Sequence, residues 1–88
     1  MVSPKRSVEL TRRAAKDLEK LEQNMPDLFG KVISKISSLE NDPGAGKQLV
    51  GPFKGKRSVR VGAYRIIYQV TGSRCVVLTV NHRGDVYR

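Results

Sequence analysis

Apolar residues recur every three or four positions in the first half of the chain and every second position in much of the rest. Ser7–Leu10 opens with Val8 and Leu10 alternating, a short strand pattern. Thr11 follows, with a side-chain oxygen suited to capping a helix N-terminus. Over residues 12–23, Ala14, Ala15, Leu18 and Leu21 share one helical face, while Lys16, Glu19, Lys20 and Glu22 occupy the other. Asn24-Met25-Pro26 breaks this helix, and Pro26 suits the first turn of the next. The second helix runs to about residue 39, with Leu28, Phe29, Val32, Ile33, Ile36 and Leu39 on one stripe. So short a link between two amphipathic helices predicts an antiparallel hairpin. Residues 41–46, Asn-Asp-Pro-Gly-Ala-Gly, are turn chemistry and end the helical half.

The second half has the period of strands. Residues 58–61 alternate polar and apolar, and 64–70 and 75–80 are rich in β-branched and aromatic side chains. Gly62-Ala63 and Gly72-Ser73 each put glycine at the first central position, which fits a type II′ hairpin turn. The predicted architecture is α+β, in the order β-α-α-β-β-β. It is an antiparallel sheet joined by the N-terminal strand, with the two-helix hairpin packed on one face. Residues 1–88 form a single domain, near the small end of what folds alone. Val59, Ile66, Tyr68, Val70, Cys75 and Val77 should receive Leu18, Leu21, Val32, Ile33 and Ile36, with Cys75 a small core residue.

Hairpin arithmetic then places the charges. With Gly62 and Ala63 as loop residues, Val61 faces Tyr64 and Arg60 faces Arg65, and directly opposed residues point to one side of a sheet. Two guanidinium groups become cross-strand neighbours on the face away from the helices. The same arithmetic across Gly72-Ser73 sets Arg65 opposite Val80 and brings His82 to the Arg65 side. Ile67, Val76, Leu78 and Val80 give that face an apolar floor. A one-residue slip would bury both arginines, so the register is strongly held.

Charge sharpens the picture. Residues 51–88 carry eight basic side chains against one acid, Asp85, a net +7 of the chain's +9. A charge so lopsided destabilises a small fold by self-repulsion and suits a face that meets a polyanion, RNA or DNA first. A solvated basic surface is the bland alternative. One Cys excludes an internal disulfide, and one Cys with one His falls short of a four-ligand zinc site without carboxylates. No metal or cofactor is expected. Residues 1–10 are polar and charged and no apolar run spans a bilayer, so a cytoplasmic protein without membrane association is expected.

Three stretches carry a resemblance: Leu49-Val50-Gly51, then residues 57–70 with their Gly-Ala-Tyr-Arg-Ile-Ile-Tyr run, then Asn81-His82-Arg83-Gly84-Asp85-Val86-Tyr87-Arg88. Together with residues 15–21 they resemble the RelE/ParE superfamily of type II toxins, and the RelE branch in particular. The resemblance implies a RelE-like fold and a toxin paired with a cognate, RelB-like antitoxin. Nothing in the sequence reads as a dimer seam, so a monomer is expected when free. It also implies entry into the ribosomal A site and cleavage of messenger RNA there. The alternative within the same fold is a ParE-like inhibitor of DNA gyrase that cleaves nothing. A non-catalytic RNA-binding protein of the ribosome is a third possibility.

Metal-free RNA cleavage needs a base at the 2′-OH, cations at the phosphorane and an acid at the leaving 5′-oxygen. Arginine suits the cationic task because it is always charged and binds two phosphate oxygens at once. By the resemblance, Arg65 and Arg83 hold the scissile phosphate and Tyr87 stacks on a base or exchanges a proton; Arg60, the cross-strand neighbour of Arg65, is expected to assist. The family pattern has lysines on the strand before the turn, whereas Ser58 and Arg60 stand there in this chain. The base is therefore one of His82, Lys56 and Tyr87, with Lys54, Lys56 and Arg57 forming an upstream RNA-binding segment.

Overall fold

The computed structural model describes residues 7–49 and 55–82. The elements are β1 (Ser7–Leu10), α1 (Arg12–Asn24), α2 (Pro26–Ser38), β2 (Lys47–Gln48), β3 (Arg57–Val61), β4 (Tyr64–Thr71) and β5 (Arg74–His82). The strands form one sheet in the order β1-β5-β4-β3-β2, with the helical hairpin on one face. The α+β class and the helix hairpin agree with expectation. Two features differ. β1 pairs parallel with β5, so the sheet is mixed rather than antiparallel. The helical hairpin separates β1 from the other strands, so no tight turn forces an antiparallel pairing. The second difference is β2, an additional two-residue edge strand paired with β3.

Thr11 caps α1 as expected. Its hydroxyl accepts a hydrogen bond from the Ala14 N–H at 3.1 Å and donates one to the Leu78 carbonyl at 2.7 Å, pinning the start of α1 to β5. Met25 ends α1 and precedes α2 with φ −144° and ψ 69°, outside the helical region, as a residue before proline prefers. Ala14, Leu18 and Leu21 of α1 and Val32 and Ile36 of α2, with Leu39, bury against Val61, Ile66, Tyr68, Cys75, Val77 and Val80 of the sheet. Each such large side chain contributes about 1.5–3 kcal/mol. Ile33 is not part of this core: it is 36% exposed, because it lies at the margin of the α2 stripe. No helix among the described residues is long and apolar enough to cross a membrane.

Both glycine-led turns form, with Gly62 at φ 59° and Gly72 at φ 58° while Ala63 and Ser73 stay out of the left-handed region. The β3–β4 register is the expected one, Val61 opposite Tyr64 and Arg60 opposite Arg65. The β4–β5 register is not. Tyr68 pairs with Val77 but Ile67 pairs with Thr79, so Leu78 is an extra residue that bulges from the ladder. The bulge falls where β1 ends and Thr11 takes the Leu78 carbonyl. Beyond it, every residue of β5 changes side. Val80 turns into the core at 3% exposure, and Arg65 faces Asn81 in place of Val80.

Candidate nucleic-acid interface

Two cross-sheet rows define the face away from the helices. Arg60 and Arg65 stand in register, and Asn81 lies next along the same row. Beside it, Lys47, Ser58, Ile67 and Thr79 form a second row. Ser58 and Ile67 are only 7% and 1% exposed, so the middle of the second row is a floor closed to solvent. At the β2–β3 end of these rows lies a cavity of about 680 Å³, lined by Lys47, Gln48, Leu49, Ser58, Arg60 and Arg65 among others. Three cationic side chains thus line one cavity, with Lys47 and Arg60 exposed and Arg65 half-buried. A concave surface lined by one sign of charge focuses its field and attracts a polyanion. Among the described residues no carboxylate lies within ion-pair distance of Arg60; the ion pair found there joins Arg74 to Glu9 at 2.7 Å. The Arg74 guanidinium donates to the Glu9 carboxylate and holds it below the usual carboxylate range.

Lys47 was invisible to sequence reasoning because Lys-Gln carries no strand signal. What places it is a clamp beneath the preceding loop. Tyr68 is fully buried, and its hydroxyl accepts from the Gly46 N–H at 2.8 Å and donates to the Pro43 carbonyl at 2.7 Å. Burial pushes the Tyr68 phenol up from its ordinary value. Arg57 Nη1 donates to the Gly46 carbonyl at 2.8 Å. The backbone passes so close that a Cβ on Gly46 would lie 2.5 Å from the Tyr68 oxygen and 2.8 Å from the Ser58 carbonyl. The clamp delivers Lys47 and Gln48 to β3 as the groove's outer wall.

The remaining candidates divide. Arg57, expected to bind RNA, gives one guanidinium hydrogen bond to the loop clamp. Lys56 precedes β3 at the groove's rim, where its carbonyl accepts from the Leu49 N–H at 3.0 Å. His82 does not share the Arg65 side. It pairs with Tyr64 and meets that ring edge-on, with centroids 5.6 Å apart and planes at 82°. The Leu78 bulge is the physical reason for this correction. His82 instead lines a separate cavity of about 280 Å³ with Asp17, Lys20, Asn24 and Tyr64. Asp17 Oδ2 accepts from the Val80 N–H at 3.0 Å and from the Thr79 hydroxyl at 2.8 Å, covering the edge of β5 that β1 leaves open. Lys54, Arg83 and Tyr87 lie outside the described residues.

A protein-family model described as the ParE toxin of the type II toxin–antitoxin system parDE matches residues 8–87. Toxin RelG of Mycobacterium tuberculosis is 34% identical over 86 residues, covering 93% of this chain and 95% of that protein. The crystal structure of the toxin–antitoxin complex RelBE2 from M. tuberculosis superposes with a TM-score of 0.79 at 31% identity, covering 90% of this chain and 99% of that one. YafQ from Escherichia coli shares the fold at a TM-score of 0.80 and 18% identity, over 94% of this chain and 99% of its own. The chain belongs to the ParE toxin family of the RelE/ParE superfamily and is the toxin of a type II toxin–antitoxin system.

Proposed function

We infer that this toxin is a ribosome-dependent endoribonuclease that cuts messenger RNA in the A site. A ribose 2′-OH attacks the scissile phosphate, and the 5′-oxygen leaves. The observation that carries this is the in-register pair Arg60 and Arg65, over the buried Ser58–Ile67 floor and facing Lys47 across one groove. A phosphate seated there meets bidentate donors from β3 and β4 and a point charge from β2. The phosphorane carries more negative charge than the ground state, so the same donors bind it more tightly. The resemblance adds Arg83 at the phosphate and Tyr87 at a base or a proton. His82 stands across the sheet from the arginine row, which leaves Lys56 and Tyr87 for proton transfer at the 2′-OH.

The partner is a cognate, RelB-like antitoxin, supported by relatives solved as toxin–antitoxin complexes. An acidic segment of it laid along the groove would compete with RNA for the same arginines. Expression of the toxin without antitoxin is expected to arrest translation, with new 5′ ends at A-site codons on primer extension. Intact message during arrest would refute the cleavage reaction. Gyrase inhibition is the alternative, favoured by the match to the ParE family model. Loss of supercoiling by purified gyrase on adding toxin, with message uncut, would establish it instead.

A further inference from the structure

Gly30 sits in the middle of α2, where glycine weakens a helix relative to alanine. The fold does not require it: its φ is not in the left-handed region, and a Cβ there would meet nothing within 4 Å. The absent side chain therefore keeps space open rather than relieving a clash. That space belongs to a cavity of about 540 Å³ between α2 and β3, lined by Lys31, Ser34, Lys35, Ser38 and Arg60, with Asp27 at the α2 N-terminal end. Lys31 and Lys35 are both exposed and lie four residues apart, about 6 Å along the helix axis on one face. Arg60 also lines the β2–β3–β4 groove, so the two basic cavities meet at one guanidinium.

We propose that the α2 cavity is a second phosphodiester-binding site, continuous with the groove through Arg60, that holds the RNA backbone flanking the segment in the groove. The inference rests on the RNA-directed function above. Lysines supply the charge and serines the hydrogen bonds to phosphate oxygens and 2′-hydroxyls. Gly30 lets the backbone approach the helix closely. A protein segment fits this cavity less well, because docked peptides need apolar anchors and the floor offers only the buried Val61. The apolar hollow at the other side of α2, lined by Val8, Leu10, Leu18 and Ile33, has the opposite chemistry.

The test is equilibrium binding of the full-length toxin to a trinucleotide RNA, which fills only the groove, and to a dodecanucleotide RNA, across a salt titration. Lys31→Gln with Lys35→Gln is expected to leave trinucleotide affinity unchanged. The same pair is expected to reduce the log–log salt slope for the dodecanucleotide by about 1.4, roughly 0.7 for each phosphate that the lysines no longer neutralise. Gly30→Gln, a better helix former, is expected to raise the melting temperature yet weaken dodecanucleotide binding at least threefold. Wild-type dodecanucleotide affinity and slope in the lysine pair, or unchanged affinity in Gly30→Gln, overturns the second site. So does a lysine pair that loses binding to polyglutamate while keeping the dodecanucleotide, which would assign the cavity to an acidic protein segment. Failure of the wild type to bind either RNA overturns the RNA-directed function itself, and the trinucleotide arm separates that result from the others.

Discussion

Replacing Tyr68 with phenylalanine removes one oxygen, and its cost follows from what that oxygen serves. It accepts from the buried Gly46 N–H and donates to the half-exposed Pro43 carbonyl. Stranding a buried backbone donor costs about 1–3 kcal/mol, and water partly replaces the hydroxyl at Pro43. The sum is about 2 kcal/mol, which in a domain of this size lowers the melting temperature by roughly 8–16 °C. The same change loosens the loop that delivers Lys47, so groove-directed RNA affinity falls together with stability. Hydrogen exchange locates the effect: the Gly46 and Leu49 amides lose protection at denaturant levels that leave the β4–β5 ladder intact. A Tyr68→Phe protein with a melting temperature within a few degrees of wild type and unchanged protection at Gly46 would refute the clamp.

Further outcomes follow from the same geometry. Arg65→Ala and Arg60→Ala are each expected to slow message cleavage by about a hundredfold, equivalent to ~3 kcal/mol of transition-state stabilisation, with near-UV circular dichroism unchanged. Asp17→Ala strips the Val80 N–H and Thr79 hydroxyl of their acceptor and is expected to cost about 1–3 kcal/mol in urea denaturation, whereas Lys16→Ala on the solvent face should cost almost nothing. Tyr68 is raised in the folded state above its ordinary 10.0, so the unfolded chain binds fewer protons above that pH. Stability should therefore fall as pH rises through 10 toward the folded value, and Tyr68→Phe should remove that part of the fall. Glu9 is lowered by Arg74, so its contribution is present above 4.5 and lost as pH falls below it; Glu9→Gln should flatten that acid limb of the urea titration.

Where local chemistry decided the fold, sequence reading and structure coincide. Thr11, Pro26, Gly62 and Gly72 each act through their own backbone, so the helix start, the helix break and both hairpin turns were legible, and with them the Arg60–Arg65 pair. Where long-range contacts decided, they part. Residues 75–80, Cys-Val-Val-Leu-Thr-Val, are apolar at nearly every position, so no alternation marks the extra residue at Leu78. That single residue turns Val80 inward and carries His82 away from Arg65. Asp17 borders the apolar stripe of Ala14, Leu18 and Leu21, but a lone acid there announces no partner; the edge of β5 beyond Leu10 takes its carboxylate. Lys47 is placed by Tyr68, twenty-one positions away, a contact that no local pattern announces.

Cleavage of ribosome-bound message by the arginine row is the centre of the proposed function. Purified toxin added to programmed ribosomes, with the message read by primer extension, tests it most directly. New 5′ ends within the A-site codon are expected with the wild type, and none with a folded Arg60→Ala, Arg65→Ala double variant. Uncut message with the wild type, or equal cutting by the double variant, would contradict it.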